Sequence, residues 1–132
     1  MKRNIIMSII ITLLITGGCE SLKYSVFNKK EDFDTFNEKF HNDSSFQLSR
    51  VDFPIKGYFI ENNEEKNWTK ENWMIHKTPV GKTKEGQFEV EVIKKEDTVI
   101  EKIWIKNSEF YIERRFRRKD GKWYLVFFKD IN

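Results

Sequence analysis

Residues 110–129 read FYIERRFRRKDGKWYLVFFK, and this stretch decides the fold. Two β-rich runs flank Asp120-Gly121, and an Asp-Gly pair between such runs is a strong hairpin signal. Upstream, Phe88, Val90 and Val92 alternate with polar residues, the period of a half-buried strand. The C-terminal half therefore predicts an antiparallel meander, with strands at about 88–92, 99–106, 110–117 and 122–129.

The residues before this meander predict short helices and one strand. Phe33, Phe36 and Phe40 stand at i, i+3 and i+7, the spacing of one helix face. The predicted helices cover 28–41, 43–48 and 69–75, with Asn28, Asp43 and Thr69 as their N-caps. Pro54 disfavours helix in the residue before it, so the chain turns extended there. A strand is predicted at 57–60, and loops at 61–67 and 77–86. Helices first and a meander last indicate an α+β domain.

The N-terminus has the pattern of a bacterial lipoprotein leader. Lys2 and Arg3 precede an apolar run over 5–15, and Gly17-Gly18 stands directly before Cys19. The 14 residues from Ile5 to Gly18 fall short of the ~20 that a transmembrane helix needs. We expect a signal peptide at 1–18, lipid on Cys19, a tether to residue 28 and one domain over 29–132. Simple secretion and an uncleaved anchor are the alternatives.

Composition narrows the possible partners and the source of stability. Cys19 is the only cysteine, so the domain is stabilised by its apolar core and not by disulfides. Loss of Lys2 and Arg3 with the leader leaves 22 basic against 21 acidic residues. This balance does not support a nucleic-acid binder. We expect the membrane as one partner, through the lipid. A small ligand, a glycan, an envelope protein or a second copy of the chain are further candidates.

Several motifs together resemble a known group of proteins. They are the three phenylalanines at 33, 36 and 40, the stretch Phe46-Gln47…Arg50…Phe53-Pro54, then Trp73 and the closing Asp120-Gly121-Lys122-Trp123. They resemble an uncharacterised family of bacterial lipoproteins in the nuclear-transport-factor-two-like superfamily. The resemblance implies a cone of N-terminal helices packed on a curved antiparallel sheet, with a pocket at the wide end. It carries over no catalytic residue, because the superfamily includes enzymes and plain binding domains.

The candidate catalytic and metal-binding residues are few. His41 is placed at the end of the first helix and His76 at the end of the third, where a structural or solvated role is expected of each. The two histidines lack metal-pair spacing and a third ligand, so no metal site or cofactor is predicted. Asp52 with Tyr58 is the candidate acid–base pair of an enzyme.

Ligand-binding candidates come from charged and aromatic residues near the predicted pocket and sheet. Arg50 either grips an anionic ligand or clamps helix to sheet through a carbonyl or a glutamate, and the clamp is favoured. The basic run 114–119 contacts anionic lipid or glycan, or pairs with strand glutamates, and pairing is favoured. Trp123 is predicted in the core and Trp68 exposed. The full set of ligand-binding candidates is Arg50, Asp52, Tyr58, Trp104, Tyr111 and Arg115.

These observations favour a lipid-anchored envelope protein that binds a ligand or a protein without catalysis. A small hydrolase or isomerase-like enzyme with carboxylate/Tyr chemistry is the alternative from another class. A homodimer across the open sheet face is a third possibility.

Overall fold

The computed structural model describes residues 29–83 and 86–132. The predicted leader, the lipid site at Cys19, the tether and the Asn28 cap lie outside these residues. In the described part, neither helix is long and apolar enough to cross a bilayer.

Within residues 29–83 and 86–132, two short helices precede seven strands. The helices are α1 (Phe33–Asn42) and α2 (Ser44–Ser49). The strands are β1 (Val51–Lys56), β2 (Tyr58–Glu61), β3 (Glu64–Asn67), β4 (Phe88–Lys94), β5 (Thr98–Ile105), β6 (Tyr111–Lys119) and β7 (Lys122–Ile131). The predicted α+β class and the four-stranded meander are confirmed.

All seven strands form one curved, open sheet. β4, β5, β6 and β7 pair antiparallel in chain order, and β1 and β2 follow one another along the free edge of β7, both parallel to it. Gly57 separates these two short strands at φ 101°, and a Cβ there would lie 2.0 Å from the backbone oxygen of Phe128. Only glycine allows this close approach of backbones.

The helices cover one face of the sheet, which we call the concave face. Phe33 of α1 meets Phe116 of β6 and Trp123 of β7 edge-on, with ring centroids 5.6 Å and 5.0 Å away. Phe36 and Phe40 complete the buried stripe, as their spacing predicts. Residues that alternate with the concave set point to the opposite, convex face.

The first helix begins later than predicted. Its N-cap is Asp32, whose side chain accepts a hydrogen bond from the backbone N–H of Thr35 at 2.9 Å. Glu31 lies before this cap, and its carboxylate binds Arg50 and accepts a hydrogen bond from the backbone N–H of Trp123. The cap of α2 is Asp43, as predicted.

The prediction of a third helix at 69–75 is wrong. Thr69 and Asn72 exchange side-chain to backbone hydrogen bonds of 2.7 Å and 3.2 Å, but these close a single turn and the chain then runs irregularly. Tertiary contacts override the cap signal, because the ring of Trp73 packs between those of Trp68 and Phe53.

Two further expectations for this region are also wrong. Residues 61–67, predicted as a loop, contain β3, reached by a hairpin turn at Asn62-Asn63 with both residues at positive φ. Trp68 is 3% exposed and not a surface residue, since its Nε1 donates a 3.0 Å hydrogen bond to the oxygen of Phe128. Trp123 is buried, as predicted.

Candidate functional site

A cavity of about 450 Å³ opens at one end of the concave face. Its volume lies within the ~300–1,000 Å³ typical of small-molecule sites. Aliphatic and aromatic side chains from four strands, and from the residue just before β6, form its floor and walls: Phe88, Ile103, Phe110, Ile112 and Phe128. His76, Lys77, Thr78, Lys82 and Thr83 of the β3–β4 connection, together with Arg114, complete the lining.

Strand register brings the apolar residues together. Ile103 of β5 stands directly opposite Ile112 of β6, so both side chains lie on one face. Phe88 begins β4, and Phe128 comes near the end of β7, which places both at the same end of the antiparallel sheet. The turn at Asp120-Gly121 lies at the other end, as does Glu31, whose N–H bonds the oxygen of Gly121.

Two buried side-chain amides hold the β3–β4 connection over this cavity. Asn37 of α1 donates to the oxygen of Val80 at 3.1 Å and accepts from its N–H at 2.9 Å. Gln47 of α2 makes the same two-way exchange with the backbone of His76, at 2.8 Å and 2.9 Å. Each amide therefore acts like one rung of a sheet, tying an irregular segment to a helix.

The side chain of Arg114 extends from β6 to the β3–β4 connection and binds both the sheet and this connection. Its Nε donates to Glu101 at 2.8 Å, and Nη2 contacts the same carboxylate. Its Nη1 donates to the Thr78 oxygen at 3.1 Å and lies 2.9 Å from Nε2 of His41. Glu101 also accepts from the N–H of Gly81 at 2.8 Å and is fully buried. The charge of Arg114 is thus compensated within the protein.

Both histidines are uncharged: His41 is buried, and His76 is half-buried with its two ring nitrogens shielded from solvent. A guanidinium can only donate, so Nε2 of His41 accepts from Arg114 and its Nδ1–H donates to the oxygen of Asn37 at 2.7 Å. Burial, with the Arg114 charge beside it, lowers the pKa of His41 to about 4. Burial lowers the pKa of His76 to about 3, and among the described residues neither of its ring nitrogens has a hydrogen-bond partner. His41 ends α1 in a structural role, whereas the helix predicted to end at His76 does not form.

Arg50 and Asp52 lie outside the cavity lining. Arg50 grips Glu31 with both terminal nitrogens, at 2.8 Å and 3.1 Å, and donates to the oxygen of Trp123 at 3.0 Å. This is the favoured clamp between the N-terminal segment and the sheet. Asp52 pairs with Lys119 at 2.8 Å on the surface. Neither Asp52 nor Tyr58, the candidate acid–base pair, lines the cavity.

The other four ligand-binding candidates gather on the convex face. Trp104 stands directly opposite Tyr111 across β5 and β6, and Lys129 lies over the rings of Tyr58 and Tyr111 at 5.0 Å and 5.4 Å. Arg115 pairs with Glu113 and covers the ring of Phe127 at 4.4 Å. Their roles in binding stay predictions.

A tyrosine–carboxylate hydrogen bond also lies on the convex face. Tyr111 donates to Glu113 at 2.7 Å, and burial together with this bond raises the pKa of Tyr111 to about 12. Two arginines of the basic run pair with strand glutamates as favoured, Arg114 with Glu101 and Arg115 with Glu113, whereas Arg118 pairs with Asp97 just before β5.

None of the six ligand-binding candidates lines the cavity, and of its lining residues only His76 and Arg114 are considered for function from the sequence. The alternation of β6 does place Phe110, Ile112 and Arg114 on one face, and that face is the concave one. The alternation does not indicate where residues 76–83 lie, because their position depends on long-range hydrogen bonds with Asn37 and Gln47. In the part of the chain that the structure describes, no group of three or more His, Cys, Asp or Glu residues is placed to hold a metal ion.

A second, larger groove of about 840 Å³ lies on the other side of Pro79–Lys82. It runs between α1 and the edge strand β4, and its charged residues carry both signs. Lys94 there pairs with Asp34 at 2.8 Å. Because its lining is mainly polar and carries charges of both signs, this groove is a weaker ligand site than the apolar cavity.

Comparisons with known proteins agree with this architecture. The chain is similar to a cystatin-like protein from Bacteroides caccae, with 25% identity, a TM-score of 0.60 and 76% of each chain covered. It is similar to a protein from Bacteroides uniformis, with 26% identity, a TM-score of 0.60 and 76% of each chain covered. An NTF2-like protein from Bacteroides fragilis shares the fold at 22% identity and a TM-score of 0.54, over 78% of this chain and 48% of that one. No curated protein matched the chain.

The similarity to the NTF2-like protein, with the helix pair on an open curved sheet, shows a nuclear-transport-factor-two-like fold. The model of an uncharacterised protein family matches residues 31–131, and the chain belongs to that family.

Proposed function

We propose that this protein is a non-enzymatic binding module of the bacterial envelope, which takes a small, mainly apolar molecule into the concave cavity. The observation that carries this proposal is the cavity itself, whose floor and walls come from five aliphatic and aromatic side chains. Burying apolar ligand surface there is favourable by ~25 cal/mol per Å².

The arrangement of titratable groups supports binding over catalysis. An enzyme of the alternative kind needs a carboxylate with a tyrosine or histidine partner at the cavity. Tyr111 and Glu113 form such a pair on the opposite face, and Glu101 behind the cavity is already bonded to Arg114 and Gly81. His76 lines the cavity, but its ring packs 4.3 Å from Phe128 without a carboxylate bond.

A cavity-filling variant tests ligand binding. The full chain with Cys19→Ala is titrated with N-phenyl-1-naphthylamine, a neutral apolar dye that fluoresces on burial. We expect saturable binding that Ile112→Trp abolishes, since a larger side chain occupies the cavity. The matched control is Ile100→Trp, because Ile100 lies on the convex face opposite Arg115. Absence of dye binding, or equal binding to Ile112→Trp, contradicts the proposal.

The proposal places the domain at a membrane through lipid on Cys19. The support is the leader, with its apolar run before Gly17-Gly18-Cys19. More than one acyl chain gives stable attachment where a single chain does not. Metabolic labelling with an alkyne palmitate analogue is expected to mark the wild type and leave Cys19→Ala unmarked. Equal labelling of the two, or a fully soluble wild type, contradicts the anchor.

A further inference from the structure

The charged side chains among the described residues that line the cavity are all positive. Among its described residues are three cations, Lys77, Lys82 and Arg114, and no acid. Arg114 is neutralised by Glu101, so among the described lining residues the uncompensated charge comes from the two lysines. Both lysines are exposed residues of the β3–β4 connection, which places them at the mouth, while the apolar side chains form the interior.

We infer that the ligand of this cavity is an amphiphilic anion, with an aliphatic body in the apolar interior and one carboxylate at the mouth beside Lys77 and Lys82. This inference rests on the proposed binding function and names its ligand class. A charged group is expensive to bury without a partner, so the head of such a ligand stays at the mouth. There the two ammonium groups and water compensate it.

The mouth is also held in place before any ligand arrives. Lys77 follows His76, whose backbone is fixed by Gln47, and Lys82 follows Gly81, whose N–H is fixed by Glu101. The Val80 backbone between them is bonded to Asn37. The bases of both lysines are therefore tied to the helices and the sheet, which lowers the ordering cost of binding.

Other charge types fit the site less well. A cationic amphiphile meets two like charges at the mouth. A neutral alcohol gains the apolar contacts but no attraction to the lysines, so its affinity measures only the contribution of its aliphatic chain. The head group is thus the feature on which the three classes differ.

The test is displacement of the bound neutral dye from the full Cys19→Ala chain by decanoate, 1-decanol and decylamine at low ionic strength. We expect decanoate to compete about 5- to 10-fold more strongly than decanol, the combined effect of two solvent-exposed charge pairs. Decylamine should be the weakest. The preference for decanoate should shrink in 0.5 M salt, which screens exposed charges.

Lys77→Gln/Lys82→Gln removes the proposed head-group site without changing the interior. In this variant decanoate is expected to fall to the level of decanol, with dye binding unchanged. Lys122→Gln is the matched control, since this exposed lysine begins β7 at the far end of the sheet. Equal competition by decanoate and decanol, or an unchanged preference in the double variant, overturns the inference. Failure of the dye itself to bind overturns the proposed function instead.

Discussion

The side-chain amide of Asn37 and the backbone of Val80 exchange two hydrogen bonds, of 3.1 Å and 2.9 Å, in the buried interior. This pair ties the β3–β4 connection to the first helix. A long irregular segment thereby gains a defined position above the sheet, and the cavity gains its upper wall. Local sequence does not specify this position, because the partners are 43 residues apart.

Loss of the Asn37 amide should destabilise the fold. Asn37→Ala leaves the N–H and oxygen of Val80 buried without partners, which costs about 1–3 kcal/mol of unfolding free energy. Urea denaturation followed by circular dichroism measures this loss. Asn42→Ala, an exposed change on the same helix, should stay within about 0.5 kcal/mol of the wild type. An equal effect of the two substitutions would contradict the role of the amide.

The buried pair between Arg114 and Glu101 predicts a non-additive result. Arg114→Met leaves the Glu101 carboxylate buried and unpaired, so unfolding free energy should fall by about 3–5 kcal/mol. Glu101→Gln/Arg114→Met removes both charges and keeps an oxygen for the N–H of Gly81, so most of the loss should return. A double variant less stable than Arg114→Met would show that the pair does not work in this way.

Stability should depend on pH through the two histidines. Both have pKa values lowered from 6.5, His41 to about 4 and His76 to about 3, so the unfolded chain binds protons first as pH falls. Their stabilising contribution is complete above about pH 6.5 and declines as pH drops below it. Between pH 7 and pH 5 each histidine accounts for a loss of about 2 kcal/mol.

His76→Phe separates the two histidines. Its ring lies between aromatic neighbours, 4.8 Å from Trp73 and 4.3 Å from Phe128, and its nitrogens make no hydrogen bond to any residue that the structure describes, so phenylalanine fits the site. We expect this variant to roughly halve the loss of unfolding free energy between pH 7 and pH 5. An unchanged pH profile in guanidinium titrations would refute the assignment.

Gly57 tests the packing of β1 and β2 along β7. Gly57→Ala puts a Cβ 2.0 Å from the Phe128 oxygen and at positive φ, so we expect loss of more than about 3 kcal/mol or failure to fold. Gly81→Ala shares the positive φ but has no atom within 4 Å of its Cβ, and should cost only about 1 kcal/mol. Thermal melts of the two variants give the comparison. Similar melting temperatures would contradict the close approach.

Sequence patterns predicted the regular elements better than the site. Period-two alternation and Asp120-Gly121 are local signals that predict the meander, and the observed strand pairing agrees with both. The Thr69 cap signal failed because Trp73 is drawn into an aromatic cluster, a tertiary effect that propensity does not contain. Asn62-Asn63 between two short runs was a usable hairpin signal for β3.

The candidate ligand residues, like the strands, follow from local patterns, whereas the cavity does not. The chemistry of Trp104, Tyr111 and Arg115 makes them ligand candidates, and strand alternation places them together on the convex face. The cavity instead combines one face of the meander with a segment positioned by Asn37 and Gln47. Predicting the location of the cavity therefore requires the long-range contacts of the folded chain.

The most direct test of the cavity as a ligand site is methyl NMR of the full Cys19→Ala chain, isotope-labelled at isoleucine and titrated with decanoate. Ile103 and Ile112 line the cavity, whereas Ile93 and Ile100 stand opposite each other on the convex face. We predict saturable chemical-shift changes at Ile103 and Ile112 with little change at Ile93 and Ile100. Changes confined to the convex pair, or none at saturating decanoate, would contradict a ligand site in the cavity.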